Sequence, residues 1–410
     1  MVVEKGYKQT EVGMIPVDWD IQPINAIATV IRGASPRPKG DKRYYGGNIP
    51  RLMVEDVTRD GKYVTPSVDF LTEEGAKRSR PCKQGTLTIV CSGTVGIPSF
   101  LKVDACIHDG FLGLTNIQKN TSSDYLYYQF VKLREVFDKS ATHGGIFTNL
   151  TTAGVKEFLL PLPNNVAEQT AIATALSDMD ALIAQTEKLI EKKKAIKQGV
   201  MQELLRPKEG WETKKLGDYG KTYGGITGKT KADFGKGNGQ YIPFMNIMSN
   251  PIIDIDFLDK VNIKSGEAQN RAMKGDLFFN GSSETPEEVG LCSVLTKDVE
   301  NLYLNSFCFG YRMNSQNDLN GLFLSYLFRS PLGRNLIFSL AQGATRYNLS
   351  KTNLLKLELP IPSKTEQDII AKILLDLDQS ITTTLNKLQK LKLQKQGMMQ
   401  ALLTGKIRLV

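Results

Sequence analysis

The most regular hydrophobic pattern in the chain lies in two segments, residues 172–204 and 370–402. Apolar residues recur there in alternating steps of four and three, a period typical of helices paired in a coiled coil. The repeating positions are Ile172, Leu176, Met179, Ile183, Thr186, Ile190, Lys193, Lys197, Val200 and Leu204 in the first segment, and Ile370, Leu374, Leu377, Ile381, Thr384, Leu388, Leu391, Lys395, Met398 and Leu402 in the second. Each pattern predicts a helix about 60 Å long at 1.5 Å per residue.

An internal duplication relates these two segments. Glu168-Gln169 returns as Glu366-Gln367, 198 residues later, and 18 of the 38 positions from 168 to 205 are identical in the second copy. Further matches are scattered upstream. They are Trp19, Ile24, Gly33, Gly144, Asn149, Leu150, Pro161 and Pro163, which correspond to Trp211, Leu216, Gly225, Gly343, Asn348, Leu349, Pro360 and Pro362. Between these anchors the halves diverge, so each half combines a constant frame with a variable insert.

The duplication predicts an α+β chain with internal pseudo-twofold symmetry, in which two mixed α/β domains are separated by two long antiparallel coiled-coil helices. The expected divisions are 1–163 for the N-terminal segment and first variable domain, 164–206 for the first long helix, 207–362 for the second variable domain, and 363–410 for the second long helix and the tail. Because the chain leaves along one helix and returns along the other, we expect the two termini to lie close together.

The charge balance points to a polyanionic partner. The chain has 52 Lys+Arg and 43 Asp+Glu, a net charge of +9, which favours nucleic acid first and an anionic membrane second. The five cysteines form no C-x-x-C pair and are interpreted as reduced thiols of a cytoplasmic protein. No apolar stretch approaches the roughly 18–20 residues that cross a bilayer, so no membrane partner is expected.

Catalytic chemistry is not visible in the sequence. The segment Gly224–Thr230 resembles a phosphate-binding loop but is one residue short of the required spacing. Asn250-Pro251-Ile252 lacks the second proline and the aromatic residue of an adenine-methylating loop. With only His108 and His143 available, a histidine-based hydrolase or metal site has few ligands. We therefore expect no catalytic residue, no metal site and no cofactor bound by this chain.

Three pairs of loops in the variable domains combine cations, polar residues and aromatics. Loop A spans 32–45 and 223–241, loop B spans 142–149 and 341–348, and loop C spans 91–94 and 280–283. The candidate DNA-contacting residues of the first half are Arg32, Arg37, Lys39, Lys42, Arg43, Tyr44, Ser92, Thr94, His143 and Phe147. Those of the second half are Tyr223, Thr227, Lys229, Lys231, Lys236, Ser282, Ser283, Gln342, Arg346 and Tyr347. Cations there would neutralise phosphates, and arginines could also contact guanine edges.

Each of these features also has a structural interpretation. Loop A is equally typical of a solvated, mobile loop, and the Ser and Thr residues of loop C are common turn formers. Asn149 and Asn348 are interpreted as residues that stabilise loop B. His108-Asp109 is interpreted as structural or base-contacting. The lysine-rich helix faces indicate either a solvated surface or one that faces DNA phosphates or a partner. They comprise Lys188, Lys192, Lys193, Lys194, Lys197, Lys387, Lys390, Lys392 and Lys395.

Several motifs together resemble a known family. The opening Gly6-Tyr7-Lys8-Gln9-Thr10-Glu11-Val12-Gly13, the L-P-x-P before each long helix, the Glu-Gln pair and the K-Q-G-x-M-Q-x-L-L endings are similar to those of type I restriction-modification specificity subunits. The resemblance covers essentially the whole chain. Its alternation of variable and constant segments agrees with the duplicated frame.

The resemblance implies a non-catalytic DNA-recognition subunit. Each variable domain would read one half of a bipartite, asymmetric site in double-stranded DNA, and the helices would set the gap between the halves. Two modification subunits would dock on the frame and methylate adenine with S-adenosylmethionine that they bind themselves. Two ATP-dependent restriction subunits could join, with ATP and Mg also held by the partners.

Two other functions remain open at the level of sequence. The chain could be an orphan DNA-binding or assembly scaffold without an active modification partner. It could also be a fused methyltransferase whose catalytic motif is not recognisable, and methyl transfer by the purified chain alone would identify that case.

Overall fold

The computed structural model describes residues 5–142, 151–343 and 346–409. The chain forms two compact units. Unit 1 comprises residues Met1–Thr186 and Lys387–Val410, and unit 2 comprises Glu187–Asn386. The boundary between the units falls inside both long helices, so each unit contains one variable domain together with a stretch of each helix.

Unit 1 contains thirteen strands among its described residues. They are β1 (Tyr7–Thr10), β2 (Gly13–Pro16), β3 (Trp19–Pro23), β4 (Thr29–Arg32), β5 (Tyr45–Leu52), β6 (Tyr63–Val64), β7 (Asp69–Leu71), β8 (Arg80–Cys82), β9 (Leu87–Val90), β10 (Pro98–Leu101), β11 (Ala105–Ile107), β12 (Phe111–Thr115) and β13 (Leu159–Pro163). The helices are α1 (Ile24–Ile27), α2 (Val54–Asp60), α3 (Glu73–Lys77), α4 (Ser123–Thr142), α5 (Thr152–Glu157) and the first part of α6 (Val166–Leu204).

Two sheets form the variable domain of unit 1. The larger has the order β4-β12-β9-β10-β6 and the smaller the order β7-β5-β11-β8. Strand β9 alternates between two clusters, since Leu87 and Ile89 pack in one and Val90 in the other, and all three are buried. A separate antiparallel pair, β3 with β13, lies in the register Trp19↔Pro163 and connects the constant residues on either side of the insert.

Unit 2 repeats this plan. Its strands are β14 (Glu212–Lys215), β15 (Gly220–Gly224), β16 (Phe234–Ile242), β17 (Asp259–Val261), β18 (Leu277–Asn280), β19 (Ser282–Ser283), β20 (Cys292–Val294), β21 (Leu302–Leu304), β22 (Cys308–Met313), β23 (Tyr347–Asn348) and β24 (Glu358–Ile361). Its helices are α7 (Leu216–Tyr219), α8 (Phe244–Ser249), α9 (Gly321–Arg329), α10 (Pro331–Leu340), α11 (Lys351–Leu355) and the first part of α12 (Lys364–Leu402).

The sheet order in unit 2 matches that in unit 1. The larger sheet runs β15-β22-β18-β20 and the smaller β17-β16-β21, while β14 pairs with β24 as β3 pairs with β13. The order β4-β12-β9-β10 of unit 1 is therefore the order β15-β22-β18-β20 of unit 2. The predicted mixed α/β domains are confirmed, and both have the same strand order in the larger sheet.

The two long helices have the predicted extent and direction. Each is 39 residues long, α6 beginning after Asn165 and α12 after Ser363, whose side chains accept hydrogen bonds from backbone amides of the first turn. In unit 1 the start of α6 packs beside the end of α12, where Lys395 Nζ lies 2.6 Å from Asp180 Oδ1. In unit 2 the end of α6 packs beside the start of α12, where Lys197 pairs with Asp378. The helices are therefore antiparallel.

Three of the helix lysines are structural. Besides the Lys197 and Lys395 pairs, Lys193 Nζ donates to Ser380 Oγ at 2.7 Å and to Thr384 Oγ1 at 2.8 Å. These three residues were interpreted as part of a solvated or DNA-facing surface, and that interpretation is wrong. Their side chains lie in the coiled-coil stripe, where they form hydrogen bonds and ion pairs with the opposite helix. The exposed lysines of the helix faces include Lys188, Lys192 and Lys194.

The chain ends meet within unit 1. Tyr7 Oη donates to the carbonyl of Gly405 at 3.1 Å, and Arg408 forms a two-bonded ion pair with Asp18 at 2.8 and 2.9 Å. Trp19 is fully buried in the same cluster as Leu402. The predicted proximity of the termini is confirmed.

Candidate nucleic-acid interface

A buried glutamine fixes the base of each variable domain. In unit 1, Gln169 Oε1 accepts from the amide of Ser122 at 2.8 Å, and its Nε2 donates to the carbonyls of Asn120 and Pro163 at 3.1 and 2.8 Å. In unit 2, Gln367 repeats all three bonds. It accepts from Asn320 at 2.8 Å and donates to Asp318 and Pro362 at 3.1 and 3.0 Å. The duplicated Glu-Gln pair thus ties each long helix to its insert.

A second repeated contact joins each insert to the helix pair. Tyr128 Oη donates to Asp180 at 2.8 Å in unit 1, and Tyr326 Oη donates to Asp378 at 2.7 Å in unit 2. Each carboxylate also pairs with a lysine of the opposite helix. Burial, the largest cause, and the neighbouring carboxylate both raise the pKa of the two tyrosines far above the usual value, so both hydroxyls remain donors. The frame therefore holds both variable domains in the same way.

In unit 1 the ends of several strands bring loops A and C against a third loop. This loop, termed loop D, comprises His108–Gly110 in unit 1 and connects β11 with β12. Ala34 donates its amide to the carbonyl of Ile107 at 3.1 Å, and the amide of Cys91 donates to the carbonyl of Gly110 at 2.8 Å. A Cβ at Gly33 would lie 2.0 Å from the carbonyl oxygen of His108, so only glycine permits this approach.

Charges concentrate where these loops meet. Asp109 accepts from Ser35 Oγ, and the guanidinium of Arg37 lies 4.0 Å from the same carboxylate. Ser35 in turn accepts from Arg51 at 2.6 Å. The hydrogen bond from Ser35 is the main cause that lowers the pKa of Asp109, which remains ionised. Burial lowers the pKa of His108, so its ring is neutral near pH 7.

The predicted residues of loop A in unit 1 divide into exposed cations and a buried ring. Arg32, Arg37, Lys39, Lys42 and Arg43 are exposed, as their proposed role requires.

Tyr44 is only 3% exposed and lies between the guanidinium groups of Arg43 and Arg78, 5.3 and 4.7 Å from the ring centroid. The Arg43 guanidinium holds the pKa of Asp41 at about 2. The structure therefore gives Tyr44 a place in the loop's own packing and leaves Arg43 exposed beside its carboxylate partner.

Of the other predicted residues of unit 1, two belong to the described part of the chain and two do not. Ser92 is half-buried beside Gly110, where a Cβ would meet its Oγ at 2.7 Å, and Thr94 is exposed. His143 and Phe147 of loop B fall outside the described residues.

Unit 2 assembles four loops in one continuous hydrogen-bonded series. Loop D of unit 2 comprises residues 305–307, and loop A meets it at its start, where Ile226 donates to the carbonyl of Leu304 at 2.8 Å. Loop D meets loop C, because the amide of Gly281 donates to the carbonyl of Phe307 at 3.1 Å. Loop C then pairs with loop B as β19 with β23, in the register Ser282↔Asn348 and Ser283↔Tyr347. A Cβ at Gly225 would lie 1.9 Å from the carbonyl of Asn305, the counterpart of the Gly33 contact.

Two predicted residues of loop A in unit 2 are engaged inside the protein. Tyr223 Oη donates to Asp276 at 2.5 Å, and its ring faces Arg312 at 5.0 Å. Lys229 has a side chain only 5% exposed and lies 2.5 Å from Glu267. This hydrogen bond is the main cause that lowers the pKa of Glu267 to about 2.

The remaining predicted residues of unit 2 lie nearer to solvent. Thr227, Lys231, Lys236, Gln342 and Arg346 are exposed, Ser282 and Tyr347 are half-buried, and Ser283 is buried with its hydroxyl on Glu288 at 3.0 Å. The structure thus brings together the serines of loop C with the loop B residues. The long β16 occupies the second part of loop A, from Phe234 onward.

Sequence reasoning missed the central position of loop D. His108-Asp109 was interpreted as structural or base-contacting but was not placed beside loops A and C, and residues 305–307 lie in an apolar run that is typical of a core strand. The signal that could have indicated it is the glycine that both halves retain at corresponding positions, Gly33 and Gly225, since a retained glycine is typical of a close backbone approach.

No group of three or more His, Cys, Asp or Glu side chains within residues 5–142, 151–343 and 346–409 is arranged to hold a metal ion. Over the same ranges, none of the helices combines the length and apolar character needed to span a membrane.

Comparison with known proteins identifies the class. A family model described as the type I restriction modification DNA specificity domain matches residues 16–197 and again residues 208–393. The MjaIX specificity subunit of a type I restriction enzyme from Methanocaldococcus jannaschii is 30% identical over 250 residues, which cover 54% of this chain and 56% of that relative. The MjaVIII specificity subunit from the same organism is 23% identical over 435 residues, 99% of this chain and 96% of the relative.

A solved structure shares the fold. The S subunit of a type I restriction-modification system from M. genitalium superposes with a TM-score of 0.55 at 14% identity, over 98% of both chains. The two successive family matches agree with the duplication seen in sequence and structure. The chain belongs to the type I restriction-modification specificity family, whose domains recognise DNA sequence.

Proposed function

We propose that this chain is the non-catalytic subunit that reads a bipartite, asymmetric site in double-stranded DNA, with one half read by each unit. The observation that carries the proposal is the same junction of loops A, C and D in both units, built on equivalent strands but bearing different side chains. Two domains that recognise different half-sites require the same backbone frame and different side chains on their loops.

Phosphate contacts would come from the exposed cations. In unit 1 these are Arg32, Arg37, Lys39, Lys42 and Arg43, and in unit 2 Lys231, Lys236 and Arg346. Such contacts fix position on the duplex, whereas base edges carry the sequence information. The polar residues nearest the junctions, including Ser92 and Ser282, are suited to the second role.

The long helices are proposed to set the gap between the half-sites, since each contributes to both units over its 39 residues. We also propose that they dock two modification subunits. Gly199 in unit 2 and Gly397 in unit 1 occupy equivalent helical positions where a Cβ would meet nothing within 4 Å. Glycine inside a helix costs about 1 kcal/mol relative to alanine, so a close approach by a partner backbone accounts for both residues.

Apolar side chains exposed on the same helices support a docking surface. Leu189 and Ile196 of α6 are seven residues apart on one face, and Ile369 and Ile373 of α12 are four apart. S-adenosylmethionine is proposed to bind to the modification subunits, and ATP and Mg to two restriction subunits, so that this chain binds no cofactor itself.

The proposal is tested by selecting duplexes from a random DNA library with the full-length chain and its modification subunits. We expect one site with two unlike specified halves and an unspecified gap. Adding one helical turn to both α6 and α12 should lengthen the gap and leave both half-sites unchanged. Selection of a single uninterrupted site, or altered half-site letters after the insertion, would contradict the division of roles.

A further inference from the structure

Phe307 is the most exposed large apolar side chain among the described residues, with 67% of its surface accessible. It lies at the tip of loop D in unit 2, between β21 and β22. The residues on either side of the two-residue tip of Ser306 and Phe307 are buried, since Asn305 is 6% exposed and Cys308 is 4% exposed, whereas Ser306 is exposed like Phe307. The ring therefore lies at an exposed two-residue tip, and Phe307 is the apolar residue of that tip.

The turn that carries Phe307 is held rigidly. The amide of Phe307 donates to Asn305 Oδ1 at 2.9 Å, and Asn305 Nδ2 donates to the carbonyl of Ile242 at 3.0 Å. The carbonyl of Phe307 accepts from the amide of Gly281 at 3.1 Å. Because both backbone groups of this residue are fixed, little backbone entropy remains to be lost when the ring contacts a ligand.

Phe307 also lies at the centre of the proposed DNA-contacting loops. Loop A is bonded to Leu304, the residue directly before loop D; loop D is bonded to loop C through Phe307 itself, and loop C pairs with loop B through Ser282. An apolar ring surrounded by polar loops has no partner within the described part of unit 2 that covers it.

The equivalent position in unit 1 is Gly110. The strand registers establish this, because Phe111 pairs with Val90 as Cys308 pairs with Asn280. A Cβ at Gly110 would lie 2.4 Å from His108 Cε1 and 2.7 Å from Ser92 Oγ. A side chain at Gly110 would require His108 and Ser92 to move, and the two units present different chemistry at the same point.

We propose that Phe307 is a specificity-determining residue that contacts the C5 methyl group of a thymine in the half-site read by unit 2. A phenyl ring has no donor or acceptor, so it cannot distinguish bases by hydrogen bonding. Thymine alone among the four bases presents an apolar group in the major groove. This inference rests on the proposed function and assigns a base feature to one residue of that interface.

The test compares thymine with uracil, which lacks only the C5 methyl group. Duplexes carrying the selected site are made with each thymine of the two half-sites replaced singly by uracil, and dissociation constants are measured for the chain with its modification subunits. We expect one thymine in one half-site at which uracil weakens binding about fourfold, the factor that burial of a methyl group supplies. With Phe307→Ala, thymine and uracil should bind equally at that position, at about the affinity of the wild-type protein for uracil.

Two controls make the result specific. Phe257→Ala removes another exposed ring of unit 2 outside the four loops, and it should retain the thymine preference. Phe307→Leu keeps an apolar tip and should retain part of it. An unchanged thymine-to-uracil ratio in Phe307→Ala would overturn the inference while leaving the proposed function intact. If the wild-type complex selects no site, the proposed function fails, and the inference fails with it.

Discussion

Units 1 and 2 share a frame and differ at the loops that the frame presents. Gln169 and Gln367 make the same three hydrogen bonds, and Tyr128 and Tyr326 reach equivalent aspartates. At loop D the correspondence ends, because one unit carries His108–Gly110 and the other Asn305–Phe307. The comparison shows one scaffold that carries two different sets of loop residues. Contacts that fix the backbone are duplicated, while residues that face outward are free to diverge.

The frames differ at the contacts that Arg408 makes, since the repeat places Gly210 at the corresponding position of unit 2. In unit 1 the buried Glu168 accepts from Arg408 and from Trp19 Nε1, the latter at 3.3 Å. In unit 2 the corresponding Trp211 has a buried Nε1 without a hydrogen-bond partner, and Glu366 is only half-buried. Residues 403–409 belong to unit 1.

The largest predicted effect tests the shared part of the frame. Gln169→Met and Gln367→Met should each lower the free energy of unfolding by about 3 kcal/mol, since each leaves buried backbone groups without partners. Because the bonds are equivalent, the two losses should be equal within error in chemical denaturation. A loss confined to one variant would show that the frames are not equivalent. The exposed pair Gln198→Met and Gln396→Met is the matched control and should change little.

The C-terminal tail should stabilise only unit 1. Arg408→Ala leaves the carboxylate of Glu168, which is 1% exposed, without its cationic partner. We expect a loss of about 2 kcal/mol, less than for a fully buried pair because Arg408 is partly exposed. Hydrogen exchange should accelerate in residues 5–30 and leave residues 210–230 unchanged. Faster exchange in both segments would contradict an effect limited to one unit.

Substitution of the helix glycines should raise the free energy of unfolding, whereas the preceding substitutions lower it. Gly199→Ala and Gly397→Ala should each stabilise the isolated chain by about 1 kcal/mol, because the added methyl group meets nothing. The same variants should weaken association with the modification subunits, one binding site each, as measured by titration calorimetry. Stabilisation with unchanged association would remove these positions from the proposed docking surface.

The smallest predicted effect is a loss of stability in loop A of unit 2 at low pH. The pKa of Glu267 is lowered from the usual 4.5 to about 2, mainly by the hydrogen bond from Lys229. The ionised pair therefore stabilises the loop fully at pH values above about 4.5. This contribution is lost as the pH falls from about 4.5 to about 2. Carbon-detected titration should give a Glu267 midpoint near 2. With Lys229→Met the midpoint should return toward 4.5, and failure to do so would assign the shift to another group.

The sequence predicts the frame better than the interface. The heptad pattern and the repeat specify both helices, their antiparallel course and the meeting of the termini, because each depends on local periodicity and chain order. The lysines at 193, 197 and 395 were misinterpreted, since a charged side chain in a stripe suggests a solvated face unless the opposite helix is known. Tyr44 and Tyr223 illustrate the same limit, because a tyrosine in a polar loop can be buried by residues distant in sequence.

The convergence of loops A, C and D could not be predicted, because it depends on strand pairings across tens of residues. Phe307 in particular lies within Leu302–Phe309, a run whose composition is typical of a buried strand. Only the turn formed by Asn305 exposes it. The local sequence pattern therefore located the candidate loops. That these loops meet at one junction is visible only in the folded structure.

The central claim is that each unit reads its own half of one DNA site, and the most direct measurement is methylation-site mapping of host DNA after a domain exchange. Residues 20–160 are replaced by the corresponding domain of another family member with a different target, and the chimera is expressed with the modification and restriction partners. We expect one half of the methylated site to change and the other half and the gap to stay the same. A change in both halves, or in neither, would contradict it.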